Sequence, residues 1–182
     1  LYEMFMGPLE AVKPWQTSGV EGVYRFLHRV WKMIVDPDGN LSAAIDDTPL
    51  SRERERLLHQ TIEKVGHDTE TLNFNTAISQ MMVFLNEFGK AKSRNRAAVE
   101  AFVLMLAPYA PHIAEELWQI LGHEKSLAHQ PYPEFDPEKA REDEVEILVQ
   151  VNGKPKARLT MPADAKPDAM QTIALENPDV KA

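Results

Sequence analysis

A chain of 182 residues, 43% hydrophobic and without cysteine, has room for one medium domain or for a domain with a small appendage. The missing cysteine excludes disulfides, thiolate chemistry and sulfur-based zinc sites, and is compatible with a reducing cytoplasm. A formal net charge of −8 argues against a surface that grips nucleic acid everywhere, since phosphate affinity comes largely from Lys and Arg, so any RNA contact has to come from local basic patches.

Residues 1–6 begin inside a helical pattern with no cap before it, and the chain reads as a segment of a longer protein at both ends. Neither a signal-peptide progression nor an apolar run near the roughly 20 residues of a membrane helix is present. Gly7-Pro8 ends the first short helix, and Pro14-Trp15 lies in an irregular crossing segment. From 20 to 35, Val20, Val23, Phe26, Leu27, Val30 and Ile34 recur at three and four spacings, which predicts an amphipathic helix. Residues 36–40 (Asp-Pro-Asp-Gly-Asn) break it. Ser51 caps a second long helix with Leu58, Ile62 and Val65 turned inward and a bend or break near Gly66. A third runs from 76 to 88, a fourth from 96 to 106, and Pro111 opens a last one that Gly122 stops. The fold class expected is mainly α: an antiparallel helix bundle over 1–122, a linker over 123–144, and a small, truncated α+β appendage over 145–182 that starts with a β-hairpin.

Within that appendage the period switches to two, with Val145, Ile147, Val149 and Val151 alternating against polar neighbours before Asn152-Gly153. The second strand alternates Lys154, Lys156 and Arg158 against Pro155, Ala157 and Leu159. A two-residue loop would pair Val151 with Lys154 and put the cations on the valine face. A three-residue loop, with Gly153 left-handed in a bulge, pairs apolar with apolar and gathers all three cations on the polar face. The odd-length loop is the expectation. Pro162 ends the strand and 167–176 reads as a short helix. Two strands and a helix are marginal alone, so further strands are expected beyond them.

No catalytic constellation emerges. Gly19 and Gly22 lack phosphate-loop spacing and follow no strand. His112 with Glu115 and Glu116 offers one imidazole and reads as a helix start rather than a metal site. In 36–40 the glycine comes too early for a calcium loop, and Asp47 stands where its bidentate Glu belongs. No triad or nucleophile elbow is present. The Met81-Met82 stretch reads as a buried helix, as do Trp31 and Trp118 beside their apolar stripes.

Basic patches remain. Arg25, Arg29 and Lys32 share the exposed side of the first long helix. Lys90, Lys92, Arg94 and Arg96 form a denser run at a helix junction, and Lys154, Lys156 and Arg158 are aimed one way by strand alternation. Each suits backbone phosphates or plain solvation. Arg52, Arg54 and Arg56 alternate with glutamates and read as solvated.

Several stretches resemble leucyl-tRNA synthetase of the bacterial type, a class Ia enzyme. Residues 1–10 (Leu-Tyr-Glu-Met-Phe-Met-Gly-Pro-Leu-Glu), with Lys13-Pro14-Trp15, resemble the passage leading out of its catalytic core. Residues 22–31 are similar to the first long helix of its anticodon-binding-type bundle, and 149–154 (Val-Gln-Val-Asn-Gly-Lys) to the opening strands of its small C-terminal domain. Residues 73–79 and 107–118 resemble bundle motifs shared by the leucine, isoleucine and valine enzymes.

The resemblance implies a non-catalytic, tRNA-docking part of an aminoacyl-tRNA ligase in protein biosynthesis. Its expected partners are tRNA-Leu and an upstream catalytic domain, without membrane or DNA, in the cytoplasm. The His-Ile-Gly-His and Lys-Met-Ser-Lys-Ser signatures are absent, so no cofactor is expected on this segment, with ATP and Mg implied for the full-length enzyme. The bundle would lie along the inner side of the tRNA and the small domain at its elbow, with Arg25, Arg29, Lys32, Lys90, Lys92, Arg94, Arg96, Lys154, Lys156 and Arg158 as phosphate grips rather than base readers. Family members continue with more strands, so the hairpin is expected to expose a bare apolar face that invites self-association. Competing readings are a helical protein-interaction adaptor, which needs an exposed apolar groove, and the same region of a valyl or isoleucyl enzyme.

Overall fold

The computed structural model describes residues 1–182 except Asp143, Asn152, Gly153, Asp164, Pro178, Asp179, Lys181 and Ala182, with Glu144, Val145 and Val151 described by backbone alone. It divides into two compact units, Leu1–Ala140 and Arg141–Ala182.

The first unit is the helix bundle. A short α1 (Tyr2–Phe5) precedes α2 (Thr17–Ile34), α3 (Arg52–Glu70), α4 (Phe74–Phe88), α5 (Arg96–Leu106) and α6 (Pro111–Ile120). Each long helix turns one apolar stripe inward, and the stripes meet in a core that includes Val30, Ile62, Ile78, Met81, Phe102 and Leu117. Phe84 is stacked between Phe88 at 4.0 Å and Phe102 at 4.9 Å. Met81 is fully buried, Trp118 nearly so, and Trp31 packs on the core from its edge. Trp15 is exposed, with the Tyr2 ring edge-on at 4.9 Å.

The helix ends follow from local chemistry. Ser51 Oγ accepts from Arg54 N, and Asn95 Oδ1 accepts from Ala98 N, capping α3 and α5. Gly122, at φ +97°, lets His123 N reach Trp118 O and closes α6 in a Schellman motif. The same motif ends α3, where Asn73 N bonds Asp68 O at 2.7 Å, but Leu72 occupies the left-handed position at φ +61°. The buried Asp68 carboxylate, held by Lys64 Nζ and Thr76 Oγ1, anchors this reversal into α4.

Two features of the first unit differ from expectation. α3 runs unbroken through Gly66. That glycine makes room for a ring: a Cβ there would lie 3.2 Å from Tyr132 Cε1, and Tyr132 Oη donates to Ile62 O at 2.9 Å. The segment expected to be a linker is, over most of its length, a strap bonded to α3. Leu127 is buried in a 3-10 turn (Leu127–His129), and a short α7 (Pro137–Ala140) follows. Asp136 N donates to His59 Nδ1, Gln60 Nε2 donates to Ala140 O, and Lys139 pairs with Glu55 at 3.0 Å.

A pair of two-residue strands also forms. β1 (Ile45–Asp46) lies parallel to β2 (Arg94–Asn95), which ties the loop after α2 to the α4–α5 junction. Asp46 Oδ1 accepts from Thr48 N and Ser93 Oγ, and these bonds, the Thr48 backbone first, hold its carboxyl below the ordinary range.

In the second unit, β3 (Glu144–Val151) pairs antiparallel with β4 (Lys154–Pro162), and α8 (Pro167–Glu176) follows. The register corrects the hairpin expectation. Val151 pairs with Lys154, leaving only Asn152 and Gly153 between them, both outside the described residues. The extra residue sits instead in a bulge at Lys156, so that Val149 faces Ala157 and Ile147 faces Leu159, with Val145 at the register of Met161. Apolar still meets apolar, but through a bulge rather than an odd loop. Nor is the apolar face bare, since Leu159 and Met161 are buried.

Candidate nucleic-acid interface

Along α2, spacings of three and four set Arg25, Arg29 and Lys32 on the side away from the buried Val23, Phe26, Val30 and Met33. All three cations are exposed. Arg25 lies 3.8 Å from Glu21 one turn earlier, an exposed pair worth little. Arg29 Nη2 donates to Asn86 Oδ1 on α4 at 2.7 Å, which fixes its guanidinium while leaving its other donors open. Arg29, Lys32 and Lys90 line one groove with Met33, Leu85 and Gly89. The fold thus brings Lys90 to the α2 cations. Among the described residues, Lys32 and Lys90 have no carboxylate partner.

The run from 90 to 96 does not act as one patch. Lys90 and Lys92 are exposed, whereas Arg94 turns inward. Arg94 Nη1 donates to Met33 O at 2.9 Å, Nη2 to Gly89 O at 3.1 Å and Nε to Phe88 O at 3.3 Å. These carbonyls lie at the C-terminal ends of α2 and α4, which lack intrahelical donors. One side chain closes both helices. Its burial lowers its pKa from the usual arginine value, though a guanidinium stays charged at neutral pH. Arg96 Nη1 donates to Leu121 O at 2.9 Å beyond the end of α6 and lies 3.9 Å from Glu100. The expectation that Arg94 is a phosphate grip therefore meets a different arrangement, because three of its donors are spent on backbone carbonyls, while Arg96 is tied by one such bond and its pair with Glu100.

On the hairpin, Lys154, Lys156 and Arg158 are exposed but do not share one face. Lys154 stands at the register of Val151, Lys156 is in the bulge, and Arg158 faces Leu148. Arg158 lies 3.5 Å from Glu146, an exposed pair on its own face. The bulge that keeps apolar residues together is what separates the cations.

An aromatic pair was missed by the sequence reading, which expected phosphate grips rather than base readers. Tyr24 is 67% exposed, and its ring stacks on His28 at 5.9 Å and an interplanar angle of 7°. The i, i+4 spacing of Tyr24 and His28, on the flank of the cationic rows, was the available signal. Among the described residues no cluster of three or more His, Asp or Glu could hold a metal ion, and no helix is long and apolar enough to cross a membrane.

Residues 52–172 match the family described as the anticodon-binding domain of tRNA ligase. Over its full length the chain is 52% identical to a leucine--tRNA ligase of Rhodopirellula baltica and 54% identical to one of Prosthecochloris aestuarii, covering 19% and 22% of those proteins. It thus spans about a fifth of the length of the curated relatives it matches. Among solved structures, 99% of the chain superposes on 25% of Agrobacterium radiobacter K84 agnB2 LeuRS, in a ternary complex with tRNA and LeuAMS, with a TM-score of 0.77 and 28% identity.

Proposed function

Because the chain belongs to the anticodon-binding domain family of tRNA ligases, we propose that it is the tRNA-docking region of a leucine–tRNA ligase. In this reading it holds tRNA-Leu so that the acceptor end reaches a catalytic domain elsewhere in the same polypeptide. That domain would use ATP and Mg to join leucine to the tRNA in the cytoplasm, and no catalytic residue lies on this segment. The observation that carries the reading is the convergence of Arg29, Lys32 and Lys90 on one groove beside Arg25. A local concentration of cations lets a chain of net charge −8 meet a polyanion. Lys92 and the hairpin cations Lys154, Lys156 and Arg158 would add separate phosphate contacts. The adaptor and valyl or isoleucyl readings are not favoured by the relatives.

Binding of the 182-residue chain to a tRNA-Leu transcript across a salt series tests this. The affinity should fall as salt rises, and Arg29→Ala should lower the log–log slope by roughly 0.7 to 0.9. Binding that ignores salt, or the absence of binding at low salt, would count against docking through this face.

A further inference from the structure

We propose that the outer face of α2 carries a stacking seat for an unpaired nucleobase, with Tyr24 as its platform and Arg25, Arg29 and Lys32 on the flanking phosphates. This inference rests on the tRNA-docking reading and deepens it, since backbone grips alone require no aromatic surface.

A single exposed tyrosine would carry no argument, because scattered apolar exposure is normal. Three observations set this one apart. Tyr24 is 67% exposed, and it is held parallel to His28, 5.9 Å away, so the pair presents an ordered π-face rather than a loose ring. His28 is also the first wall of an open groove of about 560 Å³, whose floor and sides come from Trp31, Val35 and Pro37. Space and apolar surface therefore continue beyond the stack. Lys32 lines this groove and also the one it shares with Arg29 and Lys90, so positive charge stands between the two.

Two carboxylates offset part of that charge, Glu21 beside Arg25 and Asp36 in the lining of the groove. Glu21 lies 3.8 Å from Arg25. Asp36 Oδ1 accepts from Asp38 N and Asn40 N in the turn that ends α2. An aromatic face bordered by cations is what single-stranded RNA uses, because every base has a π-face and every nucleotide a phosphate. An apolar protein segment would use the groove but not the cations.

The test uses the 182-residue chain, a tRNA-Leu transcript and a single-stranded adenosine 12-mer, each titrated by fluorescence anisotropy across a salt series. Tyr24→Ala should weaken both RNAs roughly five- to hundredfold, with the salt slope unchanged because no charge is removed. Tyr24→Phe should stay within about twofold of wild type, since the π-face remains. The side chain is exposed, so Tyr24→Ala should melt where wild type melts. If Tyr24→Ala binds both RNAs as wild type does while the transcript still binds in a salt-dependent way, docking stands and the stacking seat falls. A loss of affinity that comes with a lower melting temperature overturns the seat too, as does equal weakening in Tyr24→Phe. If wild type binds neither RNA at low salt, both readings fall.

Discussion

On the outer face of α2 the cations extend into solvent, whereas at the α4–α5 junction Arg94 and Arg96 end on backbone carbonyls. The two regions are similarly basic, and only the tertiary fold distinguishes them. α2 presents a helix flank whose own carbonyls are already bonded, so a cation there has nothing of the chain's backbone to hold. The junction presents the open C-terminal carbonyls of two helices within reach of a guanidinium. The density of charge in a run therefore says less about ligand binding than the supply of unsatisfied acceptors around it.

The largest expected effect divides the two regions by stability. Arg94→Ala removes three charge-assisted bonds and leaves carbonyls at the ends of α2 and α4 unpaired. It should cost about 2–3 kcal/mol in denaturant unfolding, and leave the salt slope of tRNA binding as it was. Lys32→Ala should do the reverse, changing stability by less than about 0.5 kcal/mol and lowering the slope by roughly 0.7 to 0.9. Exchange of the two outcomes would break the comparison.

A smaller effect tests the hairpin, where the same three cations were expected to act together. Deleting Lys156 should preserve the pairs of Val151 with Lys154 and of Val149 with Ala157, because the bulge absorbs the loss. The second unit should lose less than about 1 kcal/mol, read by amide exchange along β3 and β4. Had the odd residue been in the loop, the deletion would turn one strand over and unfold the unit.

How much of this was legible depends on the range of the interaction involved. α5, the start of α6 at Pro111, the stop at Gly122 and α8 could be read closely because caps, proline and glycine act within one turn. Parity put one extra residue in the hairpin loop, wrongly. It could not decide between the loop and Lys156, since both choices satisfy the same alternation. The strap over α3 read as a linker because its bonds join residues about 70 to 87 apart, and turn-rich composition looks the same whether it packs or not. Gly66 read as a break because glycine is a poor helix former, and its reason, the Tyr132 ring, comes from that strap. The basic groove divides in the same way. Arg25, Arg29 and Lys32 could be grouped by helical spacing, while the arrival of Lys90 and the withdrawal of Arg94 required the tertiary fold.

The smallest expected effect concerns His59, a group that accepts from the chain where Arg94 donates. Its Nδ1 takes the Asp136 N–H, which requires that nitrogen to be unprotonated. Burial first, and then the Lys139 ammonium, push the imidazole below its usual value, against weaker opposing pulls from Asp136 and Glu55. Lys139 is itself held charged by its bond to Glu55. The sign follows from where the proton binds more readily. The unfolded chain takes it up near pH 6.5 and the folded chain only at lower pH, so the strap's contribution is complete above about 6.5 and declines as the solution is acidified. Melting of wild type should therefore fall further between pH 8 and pH 5 than melting of His59→Leu, which lacks both the acceptor and the titration. Parallel curves would mean that the Asp136 bond contributes nothing and that the other strap contacts to α3 suffice.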